Sequence, residues 1–293
     1  MTHRLFFFLA MISLSACIVG STTKNEADDL ANRVSGPAIR SIPQPGSRSA
    51  AVRAADADQA EKKNTQYIVG GEEAVRSAWP FAASLLYENH KRFYHYCGGS
   101  LVNDWWVLTA AHCEPTRGDI VVLGRHDLRD KGGVVTGVEE VRTLSYNPET
   151  GENDLALVRI GAPGARGLPR VSFASPPETS RSVTAIGWGA ITEGGPTSAV
   201  LRQVTVPVWD QVQCAASYTQ ADAGRRITDS MVCAGGEGKD SCQGDSGSPL
   251  LAGTSGSSQV GIVSFGVGCG RKDFPGVYTR VDRYLEWIKS NTK

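Results

Sequence analysis

Residues 239–250 read Lys239-Asp-Ser-Cys-Gln-Gly-Asp-Ser-Gly-Ser-Pro-Leu250, "KDSCQGDSGSPL". A serine, Ser246, stands between acids and glycines beside a cysteine, in a stretch too rich in turn formers to continue a strand or helix. Taken alone it is a loop. Two further signals lie far upstream: "LTAAHC", which sets His112 beside Cys113, and "ENDLALVRI", which puts Asp154 at the head of an apolar strand. A histidine beside a cysteine is ordinarily structural, and an aspartate before a strand is ordinarily a turn former.

The texture around these signals is that of a β protein. Between Ile68 and the C-terminus, short apolar or alternating runs recur between Gly, Pro, Asn and Asp: "FAASLLY", "WWVLTA", "DIVVLG", "LALVRI", "SVTAIGW", "QVTVPV", "QVGIVSF" and "GVYTRV". Many short strands with regular turns predict a sandwich or barrels. The end is different. In "VDRYLEWIKSNTK", Val281, Tyr284, Leu285 and Ile288 fall at i, i+3, i+4 and i+7, the stripe of a helix packed on the body. Lys plus Arg equals Asp plus Glu at 30 each, so no overall field favours nucleic acid.

The first 67 residues read differently. "MTHRLFFFLAMISLSACIVG" carries an early positive charge, Arg4, then an apolar run too short to span a bilayer. Small residues follow, as in an export signal, here residues 1–16. Leu14-Ser15-Ala16-Cys17 resembles a bacterial lipobox, which implies a diacylglycerol on Cys17; the other reading is that Cys17 is discarded with an ordinary signal peptide. The chain has seven cysteines, and an exported chain with an odd number needs a use for one of them. Residues 17–67 lack an aromatic before Tyr67 and any sustained apolar period, which predicts a disordered, lipid-anchored linker or propeptide. The domain begins at Ile68, in "QYIVGG", and runs to residue 293.

In the order His112, Asp154, Ser246, the three signals resemble the trypsin/chymotrypsin family of serine proteases, and the likeness extends from Ile68 to the terminal helix. It implies an all-β fold of two six-stranded antiparallel barrels with a C-terminal helix and an active cleft between them. A serine hydroxyl is a weak nucleophile and needs a base, which the resemblance assigns to His112, oriented by Asp154. The N–H groups of Gly244 and Ser246 would stabilise the oxyanion. Asp240 would floor the pocket for the cleaved residue, with Gly266 and Gly276 as its open walls, so that Arg or Lys is selected. Ser264 would touch the substrate backbone and Asp154. The implied disulfides are Cys97–Cys113, Cys214–Cys233 and Cys242–Cys269. Neither cofactor nor metal is expected: "CGGS" and "CQGD" lack zinc spacing, and Arg125 stands where the family's calcium loop has an acid.

The same resemblance gives Ile68 and Asp245 a role. Cleavage before Ile68 would free an amine that pairs with Asp245 and orders the cleft. Tyr67 departs from the Arg or Lys usual at that site, so the enzyme should not activate itself and an activating protease with an aromatic preference is expected. Cleavage there would release the domain from any anchor on Cys17. The expected partners are thus protein or peptide substrates, that activator and protein inhibitors, with contact to a membrane through lipid. Ser248 replaces a usual glycine and Phe265 a usual tryptophan. The rival reading is a catalytically silent homologue serving as a binding module, and a third is an esterase, which the Asp240 pocket disfavours.

Overall fold

The computed structural model describes residues 24–35, 39–40, 70–161, 164–179, 181–220 and 225–293. The export signal, Cys17, Tyr67 and Ile68 lie outside the described residues. Helix α1 (Lys24–Arg33) comes first, then two-residue strands β1 (Ile39–Arg40) and β2 (Glu72–Glu73).

Six strands build the first half: β3 (Ala82–Asn89), β4 (Arg92–Asn103), β5 (Trp106–Thr109), β6 (Ile120–Leu123), β7 (Val134–Thr143) and β8 (Ala156–Ile160). They pair in the order β4-β3-β6-β7-β8-β5, and β5 pairs back onto β4, which closes the barrel. Closure leaves no free edge among the six. Leu85, Leu101, Val107, Leu108, Val121 and Leu157 have no exposed surface, and each such side chain contributes roughly 1.5–3 kcal/mol on burial.

The second half contains β9 (Ser172–Phe173), β10 (Ser182–Gly187), β11 (Arg202–Pro207), β12 (Met231–Ala234), β13 (Pro249–Ala252), β14 (Ser258–Phe265) and β15 (Gly276–Arg280). The order is β12-β15-β14-β13-β10-β11-β2, with β9 beside β14. Six antiparallel strands curl as expected; no full ladder joins β11 to β12, but a single antiparallel bridge, Val208 to Ala234, ties their ends, with Gly235 N–H donating to the Pro207 carbonyl at 3.1 Å and Trp209 N–H to the Cys233 carbonyl at 2.9 Å. In β11 burial alternates: Arg202, Val204 and Val206 face inward while Gln203 and Thr205 are half-exposed.

Helix α2 (Gln211–Gln220) starts where Asp210 Oδ1 accepts the N–H groups of Val212 and Gln213, at 3.0 Å each. The terminal stripe is present. A 3₁₀ turn over Val281–Tyr284 leads into α3 (Leu285–Asn291), with Val281, Tyr284 and Ile288 buried and Leu285 half-buried.

Of residues 17–67, expected to be a disordered linker or propeptide, the structure describes 24–35 and 39–40. Helix α1 lies against β7, and β1 adds parallel to β4. Val34 is fully buried in the first barrel's core cluster, with Leu30 and Ala31 partly buried beside it. Its carbonyl accepts a 2.6 Å hydrogen bond from Arg125 Nη1, and Arg33 pairs with Glu88 at 2.7 Å. Three apolar side chains in a polar run are too few to show as a period, yet they suffice to seat one turn on an existing barrel. Arg125 also donates to the carbonyls of Gly132 (2.7 Å) and Leu128 (3.2 Å), so its guanidinium occupies the loop where the family resemblance places an acid.

Candidate active site

The cleft between the halves, about 300 Å³, is lined by His112, Asp240, Gln243, Ser246, Ser264, Phe265, Gly266 and Gly276, among others. Residues more than one hundred positions apart in sequence thus share one cavity, and Asp154 adjoins it through His112.

His112 sits in a 3₁₀ turn (Ala111–Cys113) that directly follows β5, anchored by the Cys97–Cys113 disulfide. Closing so short a loop is worth about 3 kcal/mol in the chain-entropy account. Asp154 is buried and binds His112 twice: Oδ1 accepts the backbone N–H at 2.8 Å, and Oδ2 meets ring Nδ1 at 2.6 Å. Ser264 Oγ donates to the same Oδ2. Burial alone would push the Asp154 carboxyl up, but His112 and the Ser264 hydroxyl outweigh it and hold it below the usual carboxylate range. Asp154 is further tied to the second half, where Thr279 Oγ1 donates to its carbonyl at 2.9 Å. With Nδ1–H directed at Asp154, His112 keeps Nε2 free to accept a proton.

Ser246 lies on the turn before β13. Its carbonyl accepts the Gly98 N–H at 2.8 Å, which fastens the loop to the first barrel. Gly244 has φ +91° and Gly247 φ +79°, the left-handed region that glycine tolerates. At Gly247 a Cβ would come within 2.2 Å of Thr109 Oγ1, so no side chain fits there. Among the described residues neither the Gly244 nor the Ser246 N–H meets an acceptor within the chain. Two free donors beside a serine can receive an anionic oxygen.

His95 is a residue that the sequence reading missed. It is buried, its Nδ1 accepts from Ser84 Oγ at 2.8 Å, and its Nε2 donates to the Gly244 carbonyl at 2.9 Å. Burial lowers its pKa to about 4, so the ring is neutral near pH 7 and acts as a fixed donor. It thereby holds the Gly244 peptide in the orientation that frees its N–H. The available signal was a polar residue inside the otherwise apolar run "FYHYC".

Asp240 has 2% of its surface exposed. One oxygen accepts the Gly270 N–H at 3.1 Å, while Oδ1 is buried with no partner. Gly276 lies against it: a Cβ there would stand 2.7 Å from Oδ1. Desolvation raises the Asp240 pKa to about 7 despite its hydrogen bonds. Asp245 behaves similarly. It accepts N–H groups from Gly189 (2.8 Å) and Cys242 (2.9 Å), is buried, and has its pKa raised by desolvation to about 6. Gly187 and Gly189 make room for it, since a Cβ at either would fall 2.2–2.4 Å from its carboxyl. Gly70, two residues after Ile68, lies against the loop that leads to Asp240, where a Cβ would meet the Gly238 carbonyl at 2.1 Å.

The remaining cysteines pair as the resemblance implies: Cys214–Cys233 and Cys242–Cys269, the latter bracing two edges of the cleft. Ser248 is buried between Gly98 and Gly187, which lack the side chains that would obstruct it.

A serine, an imidazole held by a buried carboxylate and two free N–H donors, gathered in one cleft between the two halves, are the groups that a serine hydrolase uses. The family model for trypsin matches residues 68–288. Curated relatives include Trypsin Blo t 3 of Blomia tropicalis, 38% identical over 76% of this chain and 85% of its own length. Trypsin-1 of Astacus astacus is 36% identical over 76% of this chain and 99% of its own, and Trypsin I-P1 of Gallus gallus 39% over 76% and 88%. The chain belongs to the trypsin family and is a serine protease.

Proposed function

We propose that this protease is an endopeptidase that cleaves after Arg or Lys, made as a zymogen and activated between Tyr67 and Ile68. The observation that carries the specificity is the unpartnered Asp240 oxygen at the base of the cleft. A buried carboxylate with an open side is costly until a cation reaches it. A guanidinium or ammonium on the substrate supplies that partner, and Gly266 and Gly276 leave it a passage.

The reaction then runs from this chain's own groups. As Ser246 Oγ attacks the carbonyl carbon, its proton passes to His112 Nε2 and the carbonyl electron pair moves onto oxygen. Gly244 and Ser246 N–H groups receive that oxyanion. The carbonyl re-forms, the C–N bond breaks and His112 returns the proton to the leaving amine, which leaves an acyl group on Ser246. Water repeats the sequence with His112 as base, releasing the acid and restoring the hydroxyl. Asp154 keeps the ring in its useful tautomer and stabilises the imidazolium.

Activation rests on Asp245. Cleavage before Ile68 supplies an amine to a buried carboxylate whose described hydrogen bonds are to backbone N–H groups, and the pair orders the loop carrying Gly244 and Ser246. Because Tyr67 precedes the cut, an external protease with an aromatic preference performs it. The three disulfides fit an extracellular protein, and the remaining Cys17 is read as the lipid-bearing residue that holds the zymogen at a membrane until cleavage severs the link. Protein inhibitors would enter the same cleft.

A panel of peptides differing only in the cleaved residue tests the specificity. Arg and Lys should exceed Phe and Gln in kcat/KM, and Asp240→Asn should remove about 2–5 kcal/mol of that selectivity, roughly thirty- to several thousand-fold. Equal cleavage after Phe and Arg would refute it. Mass spectrometry of the membrane fraction tests the anchor: a diacylglyceryl group on Cys17 is expected, and a soluble precursor lacking residue 17 would remove it.

A further inference from the structure

Within the cleft lies one cation that the mechanism leaves unused. Arg225 lines the same cavity as His112, Asp240 and Ser246. Its guanidinium carbon stands 4.6 Å from the centroid of the Phe265 ring, and its Nη2 donates to the Pro148 carbonyl at 3.2 Å. The Pro148 loop belongs to the first half and Phe265 to the second, so Arg225 bridges the two on the cleft's rim. Gly151, with φ +77°, lets that loop close in: a Cβ there would lie 2.8 Å from Phe265 and 3.7 Å from Arg225 Nη1. Tyr146 flanks the guanidinium as well. Every other contact just named is to a neutral group, and among the described residues no carboxylate forms an ion pair with Arg225.

The cleft thus has an acid at one end and a base at the other. Asp240, an acid, stands at the base and Arg225, a cation, on the rim, and Phe265 and Gly266 line the same cavity. A peptide in extended form advances about 3.3 Å per residue and turns successive side chains to opposite sides. With the cleaved base lowered toward Asp240 and the substrate backbone laid along Ser264, as the family resemblance implies, residues next to the bond come near Phe265 and the guanidinium. Stacking on the ring fixes one face of Arg225; the Pro148 carbonyl and Tyr146 take part of its N–H edge, and its remaining N–H groups are left to donate to a carboxylate.

We propose that Arg225, held on Phe265, forms a subsite that selects an aspartate or glutamate two to four residues upstream of the scissile bond. The proposal rests on the Arg/Lys reading of the cleft and adds to it: preferred substrates carry an acid followed closely by the cleaved base. Phe265, standing where the family usually has tryptophan, gives the guanidinium its platform.

The test uses the full-length protein cut after Tyr67 by a protease specific for aromatic residues. Fluorogenic peptides carry Glu, Gln or Lys at each of the second, third and fourth positions before the bond, and Arg, Lys or Phe at the cleaved position. At one upstream position Glu should exceed Gln by about three- to tenfold in kcat/KM at low salt, with Lys below Gln, and the ratio should shrink as salt screens it. Arg225→Gln should bring the Glu/Gln ratio to near one, and Arg225→Glu should invert the order so that Lys leads. Ratios within one variant are independent of how much of it folds. A Glu/Gln ratio of one at all three positions in the unaltered enzyme, or a preference that survives Arg225→Glu, overturns the subsite. Peptides with Phe at the cleaved position keep the two readings apart: cleavage after Phe as fast as after Arg defeats the Asp240 assignment, while the upstream ratio still decides Arg225.

Discussion

The carboxylates of the two halves differ in how their charge is met. Asp154, on the first barrel, is embraced by the His112 backbone and ring and by Ser264, and sits below the ordinary carboxylate range. Asp240 and Asp245, both on the loop before β13, are as deeply buried, yet desolvation has raised them to about 7 and about 6. The imidazole and its carboxylate are thus complete within the folded chain, whereas the loop bearing Ser246 holds two acids short of cations. On this account one cation is the substrate's basic side chain and the other is the amine freed at Ile68.

The contrast can be broken first at its finished side. Asp154→Asn should lower kcat by about 10⁴-fold, because an amide supports the wrong His112 tautomer, with KM little changed; steady-state kinetics at pH 8 would measure it. Next comes the unfinished side. Asp245→Asn should leave the cleaved protein folded but cost roughly a hundred- to several thousand-fold in kcat/KM, since the amine then lacks a charge to bury against, a loss of about 3–5 kcal/mol. Active-site titration separates this from misfolding: fewer functional sites are expected at unchanged circular dichroism. A smaller effect belongs to the support. His95→Phe removes the donor to the Gly244 carbonyl, and a buried acceptor left alone costs about 1–3 kcal/mol. The expected result is a roughly tenfold lower kcat with the Arg/Phe selectivity intact.

The smallest effect is on stability. Asp240 and Asp245 have pKa values raised in the fold from 3.8. A raised acid stabilises the fold fully below its unfolded pKa and loses that contribution as pH climbs through the folded value. Buried His95, lowered to about 4, gains stability over the same window and offsets part of this, so the uncleaved protein should show a net loss of Tm between about pH 4 and pH 7, and cleavage before Ile68 should recover part of it by supplying a partner to Asp245. Calorimetry of both forms across that range would show it, and parallel curves would count against the account.

Much of this was legible in the residues, and the gaps have physical causes. All eight runs read as strands are strands, from β3 to β15, because β-branched residues between turn formers specify a pleated, half-buried surface. Strand β4 escaped notice since Gly98 and Gly99 interrupt it; they are needed there, as a Cβ at Gly98 would strike Ser248 and one at Gly99 would crowd Val107. Helix α2 carries a weak apolar face, although its cap, Asp210, was visible in the sequence. Helix α1 depends on Val34 finding a barrel already built. His112, Asp154 and Ser246 were found through neighbouring motif residues. His95 and Arg225 have no such neighbours, and only the folded chain brings one to the Gly244 carbonyl and the other onto Phe265.

The most direct test is the ionisation of Asp245 itself, followed by carbon-13 NMR of its carboxyl before and after the cut at Tyr67, with Asp245→Asn to assign the signal. The account predicts a pKa of about 6 in the uncleaved chain and a value below the ordinary aspartate range once the Ile68 amine is free. An unchanged titration in a cleaved, fully active enzyme would contradict it.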